Sequence, residues 1–391
     1  MPSVVLAGRQ DEAIPLDRRT LGQLALLFGR LSLTSFGGPA AHIAMMRREI
    51  VEQRNWLSDT DFLDLIGASN VIPGPTSTEV AMHTGRRRGG PVGFLVAGLA
   101  FILPAAALML VMAWGYTRFG TTPRMTDAFD GVKPVVVAVV ANAVVGLGRT
   151  AVKSRTLAMI GLAVVVAYLG GVNEPVLLLA AAALAGMTTV RRRIGPGPRG
   201  SGEAMIVAPL VFGLGRGLSD PDLSRLFAVF LKVGALLFGS GYVLFAFLQR
   251  DLVLSRGWLT ESQLLDAIAV GQFTPGPLFT TATFVGYLLN GVPGAAVATV
   301  AIFLPAFLMV ALLGPVVDRL RSSALTGAAL DGLNVAAVGV MAGVTWALGH
   351  DAVTDVSTAV IAIASLIALV RYRVNAAWLM LAGGCAGLLL G

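Results

Sequence analysis

Cysteine is nearly absent: the single Cys385 of this 391-residue chain sits in an apolar terminal stretch and can form no internal disulfide. Histidine is almost as scarce. His42, His83 and His350 are too scattered to build a His/Cys metal cage, so disulfide scaffolds and structural zinc sites drop out, and neither a metal nor a cofactor is expected. Charge is the third shortage, at 13% of residues against about 25% in an ordinary globular domain. With 55% hydrophobic residues, a further 47 Gly and a mean hydropathy of +0.78, a water-soluble fold is effectively ruled out. Disorder goes with it, because such a chain does not stay solvated. The first twenty residues hold Arg9, Asp11, Glu12, Asp17, Arg18 and Arg19 without an apolar core, so no cleavable signal peptide is expected.

What the chain does have is apolar runs, near 91–117, 132–148, 156–171 and 175–190 and again near 292–317, 332–349, 356–370 and 374–390. Each is close to the roughly twenty residues that span a bilayer. The net charge of +7 arises from short basic clusters between these runs. That is the pattern of loops facing anionic lipid, so the bilayer is the expected partner and nucleic acid is not.

A shift of 202 positions lays Phe36-Gly37 on Phe238-Gly239, Arg48 on Arg250, Arg54 on Arg256, Trp56-Leu57 on Trp258-Leu259, Asp64 on Asp266 and Pro73-Gly74-Pro75 on Pro275-Gly276-Pro277. Pro91 falls on Pro293, and with one residue deleted Pro104 meets Pro305 and Asp130-Gly131 meets Asp331-Gly332. Coincidence of rare Trp and Pro-Gly-Pro at one offset marks an internal duplication. The chain reads as one repeat over 1–193, a Gly/Pro-rich linker over 194–205 and a second repeat over 206–391.

Lys and Arg in the loops set the orientation of each repeat. In the first, Arg86-Arg87-Arg88, the segment holding Arg149, Lys153 and Arg155, and Arg191-Arg192-Arg193 are basic, while Asn173-Glu174 is not. In the second the character exchanges: Leu288-Leu289-Asn290 is uncharged, His350–Asp355 holds two Asp, and Arg371-Tyr372-Arg373 replaces Asn173-Glu174. The expected fold is an all-α polytopic membrane protein of two inverted-topology repeats with broken or re-entrant helices, an arrangement of many secondary transporters. About twelve to thirteen membrane segments are expected, and parity calls for an extra short crossing near 204–218 or an odd number of crossings before each Arg86-like loop.

Helix breaks recur in both repeats. Ser35-Phe36-Gly37-Gly38-Pro39 ends one apolar helix and starts another, and its counterpart is Phe238-Gly239-Ser240-Gly241. Pro73-Gly74-Pro75-Thr76-Ser77-Thr78 and Pro275-Gly276-Pro277-Leu278-Phe279-Thr280 each break an element of about thirty residues, where free backbone groups need a partner at membrane depth. Helix N-termini at Pro75 and Pro277, with hydroxyls of Thr76, Ser77, Thr78 and Thr280, favour an oxyanion. A structural kink is the competing reading. Arg30 and Lys232, equivalent by the offset, place a cation inside an apolar helix of each half, which suits a dianion on the pseudo-symmetry axis or else snorkelling to an interface. Glu79 and His83 lie four apart on one helix face, in the first half only, and His42 is a weaker companion; all three are candidates for coupling to protons. Arg47-Arg48-Glu49 and Arg54, echoed by Arg250-Asp251 and Arg256, read as interfacial stretches anchored by Trp56 and Trp258.

F-G-G-P, R-R-E, W-L-S and P-G-P-T-S-T, repeated as F-G-S-G, R-D, W-L-T and T-P-G-P, together resemble the two-domain form of the chromate ion transporter family. The resemblance covers both halves. It implies a multi-pass carrier of the bacterial inner membrane, not an enzyme, that exports chromate, with sulfate as a structural mimic and the proton motive force as drive. Glu79 and the Gly-Ser-Gly of the second half depart from that pattern. From the residues alone the reading stops at an inverted-repeat anion transporter working by alternating access. An anion channel and an intramembrane enzyme using Glu79 and His83 remain the alternatives, and monomer and homodimer stay open.

Overall fold

The computed structural model describes residues 17–36, 38–69, 72–120, 122–193, 221–238, 241–313 and 323–390. Among them every regular element is a helix. The first half contains α1 (Arg18–Thr34), α2 (Gly38–Arg47) with a π-helical turn at Arg48–Gln53, α3 (Asp59–Ser69), α4 (Thr76–Phe119), α5 (Pro123–Ala151), α6 (Arg155–Leu169) and α7 (Glu174–Arg193). The second repeats the order with α8 (Leu223–Leu236), α9 (Val243–Leu248) with a π-helical turn at Gln249–Leu254, α10 (Glu261–Phe273), α11 (Thr281–Leu313), α12 (Ala324–Ala352), α13 (Val356–Tyr372) and α14 (Ala376–Leu390). Local chemistry sets the starts. The Thr260 hydroxyl accepts from the Gln263 amide while the Gln263 side chain accepts from the Thr260 amide, the capping box expected there. Ser58 accepts from the Asp61 amide at 3.1 Å in the same way. Asp355 caps α13, and the hydrogen bonds it accepts from Thr358 hold its carboxyl below the ordinary range.

The long helix α4 is a hairpin. Gly89 and Gly90 leave helical geometry, with φ +59° at Gly90, and the arms 76–88 and 91–119 fold back on each other. Gly85 and Gly93 touch so closely that a Cβ on Gly85 would overlap the Gly93 carbonyl oxygen, while one on Gly98 would meet Met82 Cγ at 2.9 Å. Asn290 and Gly291 do the same for α11, where Gly286 packs on Gly294. These kinks and glycine pairs are offset by 201, so the one-residue deletion precedes the kink and Pro91 does not pair with Pro293 as expected. The second half absorbs it where a single 3-10 turn, Leu278–Thr280, replaces the α-helical turn at Thr76. Gly85→Leu is expected to open the hairpin and cost about 1–3 kcal/mol or more, since backbone rather than a flexible side chain occupies the space. Thermal unfolding of the purified protein in detergent checks this.

Depth follows from the contacts of α1. Its Leu24 lies against Gly89 and Gly93, its Gly29 faces Ala100, and its Ser32 hydroxyl accepts from the Ala105 amide at 3.1 Å. So α1 runs beside the second arm of α4 for half its length and then breaks. The chain returns to the starting face through α2: Arg54 and Arg88 both stack on Trp56, and Arg87 pairs with Asp61 at 2.9 Å at the start of α3. Helices α1–α2 and α3 with the first arm of α4 are thus two re-entrant pairs entering from the Arg86–Arg88 face. The second half enters from the other side, where Arg250 donates to the Gly171 carbonyl at 2.9 Å and to Asn173 at 2.7 Å. Arg86 reaches the Ala311 carbonyl near the far end of α11, so α4 and α11 are antiparallel and the repeats are inverted. Among the described residues no odd crossing precedes Arg86, and the crossing expected at 204–218 and the linker 194–205 lie outside the described residues.

Four helices, those of 76–119, 123–151, 278–312 and 325–352, are long and apolar enough to span by themselves, and α6, α7, α13 and α14 are shorter apolar helices. They are exchanged between halves. Helix α5 packs on α13 and α14, α12 packs on α6 and α7, and α5 and α12 pack on each other. Small residues allow it: Gly131 meets Gly383 and Gly387, and Gly332 meets Ala181 and Ala185. The pseudo-symmetry is broken in one place. Helix α10 is clamped against α5, α12 and α14, with Leu264–Gln272 buried throughout, whereas α3 packs closely only on α4 and leaves Leu63 and Asp64 exposed.

Candidate functional site

The Pro-Gly-Pro tips of the re-entrant pairs meet the broken ends of α1 and α8 of the opposite half. The Gly74 amide donates to the Leu237 carbonyl at 2.9 Å, and the Gly276 amide donates to the Ser35 carbonyl at 3.1 Å. This reciprocal pair marks the pseudo-two-fold axis at mid-depth. Both glycines have positive φ, +147° and +100°, and both are crowded: a Cβ on Gly276 would overlap that of Ala105. Such a crossing of backbones admits glycine alone.

Next to the Gly74 tip the first arm of α4 begins. The amides of Thr78 and Glu79 turn back to the Pro75 carbonyl, at 2.8 and 3.1 Å. Those of Thr76 and Ser77 therefore point from the positive end of the helix dipole with no intrahelical acceptor. Ser77, Thr78, Glu79, His83 and Thr84 are all buried. His42 joins them from α2, its Nε2 3.1 Å from the Ser35 carbonyl and its Nδ1 3.4 Å from the Ser77 hydroxyl, with its ring edge-on to Phe101. Nε2 of His83 and the hydroxyls of Ser35, Thr78 and Thr84 close no hydrogen bond, and the Glu79 carboxylate has only the Ser69 hydroxyl facing it, without good hydrogen-bond geometry. Each orphaned polar group is costly at this depth, and a fold that gathers several beside a helix start has a place for a polar partner.

The second half offers fewer free polar groups at its tip, where the Thr281 hydroxyl and the Gln272 amide nitrogen close no hydrogen bond. Leu278 and Phe279 stand where the first half has Thr76 and Ser77, and the Thr280 hydroxyl, expected as a donor to an anion, already donates to the Pro277 carbonyl at 2.8 Å. The helix start expected at Pro277 is a 3-10 turn. Gly241 packs on Leu278, and Gly38, with φ +78°, comes within about a Cβ of the Tyr242 hydroxyl, which donates to Gln272 at 3.5 Å. Gly37, Gly239, Ser240 and the side chain of Pro39 lie outside the described residues.

Arg30 and Lys232 are brought together with neither tip. Arg30 pairs with Glu49 of the first π-helical turn, Arg54 approaches the same carboxylate at 3.4 Å, and the Arg30 side chain is 54% exposed. Lys232 pairs with Asp251 at 2.6 Å and Arg256 joins at 3.2 Å, with side-chain exposures of 23% for Lys232 and 9% for Asp251. Each cation thus belongs to one of two equivalent triads, since a charge at low dielectric demands a counter-charge. The expected interfacial anchors are parts of these triads: Arg54 stacks on Trp56 and Arg256 on Trp258. Sequence reasoning missed Ser69, Thr84, Tyr242 and Gln272; a polar residue among apolar neighbours was the available signal.

A family model described as Chromate transporter matches the chain twice, over residues 22–187 and 224–388. A chromate transport protein of Cupriavidus metallidurans is 32% identical over 356 residues, 90% of this chain and 89% of the relative. One from Pseudomonas aeruginosa is 31% identical over 398 residues, covering 97% and 94% of the two chains. A probable chromate transport protein of Synechococcus elongatus is 30% identical, covering 89% of each. No solved structure matches the chain.

Proposed function

The chain belongs to the chromate transporter family, and from that premise we propose that it is a proton-coupled carrier that exports chromate across the bacterial inner membrane by alternating access. Its repeat units are 1–193 and 206–391, joined by the linker 194–205, and the basic face is cytoplasmic. The observation that carries this reading is the polar cluster of Ser35, His42, Ser77, Thr78, Glu79 and His83 beside the reciprocal Gly74 and Gly276 contacts. A tetrahedral dianion, chromate or its mimic sulfate, sits against the amides of Thr76 and Ser77 and the neighbouring hydroxyls, with Gly37, Gly38, Pro39, Gly239, Ser240 and Gly241 shaping the breaks around it.

Each triad keeps one surplus positive charge, so Arg30 and Lys232 act by drawing the dianion to the mouth of either half and by locking each re-entrant pair. Glu79 exchanges its proton for the anion: it is protonated, by relay through His83 or His42, in the anion-free return step and gives that proton up to the basic face as the anion is taken, so the two cross in opposite directions. Because α5 and α12 exchange partners between the halves, the moving units are the re-entrant helices against this shared core, rather than the whole halves rocking. The clamped α10 and uncovered α3 correspond to a state open on the basic face.

Tracer chromate uptake into everted vesicles tests the reading. An acid lumen is expected to drive uptake uphill, sulfate to compete, and dissipation of the gradient to abolish accumulation. Flux indifferent to the gradient indicates a channel, and no flux removes chromate as substrate. Glu79→Gln is expected to lower gradient-driven uptake by about tenfold or more, the equivalent of about 1.4 kcal/mol.

A further inference from the structure

Resting on the proton-coupled reading, we propose that Asp266, with Tyr116, is a second proton-binding site, placed in the half of the molecule opposite Glu79 and reached from the face opposite the basic one. Asp266 lies on α10, the inbound helix of the second re-entrant pair, two turns inside its Thr260 cap and 5% exposed. One carboxylate oxygen accepts the Tyr116 hydroxyl at 2.7 Å; the other is buried and closes no hydrogen bond. Tyr116 is itself wedged between Phe129 and Phe284.

Among the described residues the titratable groups that face Asp266 are Tyr116 on α4 and Asp130 and Lys133 on α5. The other groups that approach α10 lie away from Asp266: Gln249 of the π-helical turn donates to Glu261, Asp351 of α12 and Tyr168 of α6 act on Glu261, and the Tyr242 hydroxyl donates to Gln272. Lys133 pairs with Asp130 at 2.6 Å, which leaves Lys133 15% and Asp130 56% exposed. With Lys133 spent on Asp130, the cluster is neutral only when Asp266 carries a proton, and a neutral cluster is what a low-dielectric site favours. Exposed Asp130 is the entry from solvent, and Asp266 the acceptor beneath it.

The position suits coupling. Asp266 rides on the helix that ends at the Gly276 tip, so its charge state is linked to how α10 packs on α5 and α14. Asp64, its counterpart by the 202 offset, lies exposed on the unclamped α3. Burial of the carboxylate accompanies clamping, and a proton is the natural fee for that burial. Protons bound here from one face and anions bound at Thr76–Thr78 from the other give the exchange a direction.

The test compares gradient-driven chromate uptake with chromate–chromate exchange at zero gradient in proteoliposomes of the full chain. In Asp266→Asn the response to the pH gradient is expected to fall by about tenfold, within the usual range of coupling between two sites, and the pH dependence of exchange to flatten, while exchange itself continues. Tyr116→Phe keeps the ring and is expected to displace the pH profile of exchange. Asp266→Glu restores part of the gradient response. A wild-type gradient response in Asp266→Asn overturns the proposal; so does loss of both activities in Asp266→Asn with an unchanged profile in Tyr116→Phe, which assigns Asp266 a structural role. Absence of exchange in the wild type would instead sink the carrier reading itself.

Discussion

Gly74→Ala is expected to reduce gradient-driven chromate uptake by about a hundredfold, the penalty for displacing a binding site by about an ångström. Gly74 has φ +147°, a region closed to L side chains, and a Cβ there overlaps Glu79 Oε1 and stands 2.9 Å from the Ala306 Cβ. Ala306, in the second arm of α11, cannot give way, and the Glu79 carboxylate can do so only by leaving its place in the polar cluster. The tip must retreat, and the Gly74–Leu237 hydrogen bond and the start of α4 retreat with it. Gly90 supplies the control. It also has positive φ, +59°, and its ψ of −152° is a conformation essentially confined to glycine, so Gly90→Ala strains the hairpin turn by about 1–3 kcal/mol; but nothing lies within 4 Å of its Cβ position and the turn is remote from the tip, so uptake by the folded protein stays near normal. Equal uptake by both variants, measured in the same vesicles, would place the anion elsewhere.

The second large effect is in stability. Asp251→Asn leaves Lys232 and Arg256 beside each other with only the nearby Glu174 carboxylate as counter-charge, and is expected to cost about 3 kcal/mol, the lower end of what breaking a buried ion pair does. Glu49→Gln breaks the equivalent triad where Arg30 is half exposed, and about 1 kcal/mol or less is expected. The difference between two symmetry-related changes is what matters, and thermal unfolding in detergent reads it. Lys232→Met combined with Asp251→Asn should recover part of the loss, since the surplus charge is then smaller.

Much of this was legible in the residues because duplication repeats rare signals. Pro-Gly-Pro, Trp and Arg at one offset located the breaks and the halves, the exchange of basic character between equivalent loops gave their opposite orientation, and the family model matches twice, over 22–187 and 224–388. Hairpin folding within α4 was not legible: Gly85, Gly89, Gly90 and Gly93 look like ordinary packing glycines until Gly85 is seen to rest on the Gly93 carbonyl. The partners of Arg30 and Lys232 were also hidden, since Glu49 and Asp251 follow nineteen residues later across a break, beyond any helical periodicity. Nor does composition tell which half carries polar donors. Only the packing of His42 on Phe101 and beside Ser77 places the first half's polar residues at one point.

The exchange of α13 and α14 onto α5 has a consequence for how the chain is made. Helix α5 is complete at Ala151, but the groove on its Gly131 side is filled only by Gly383 and Gly387 of α14. About 240 residues of synthesis separate the two, or some tens of seconds at about 5–20 residues per second. Through that interval the Gly131 face of α5 is without its partner, and a helix made long after the first half is the one that completes it.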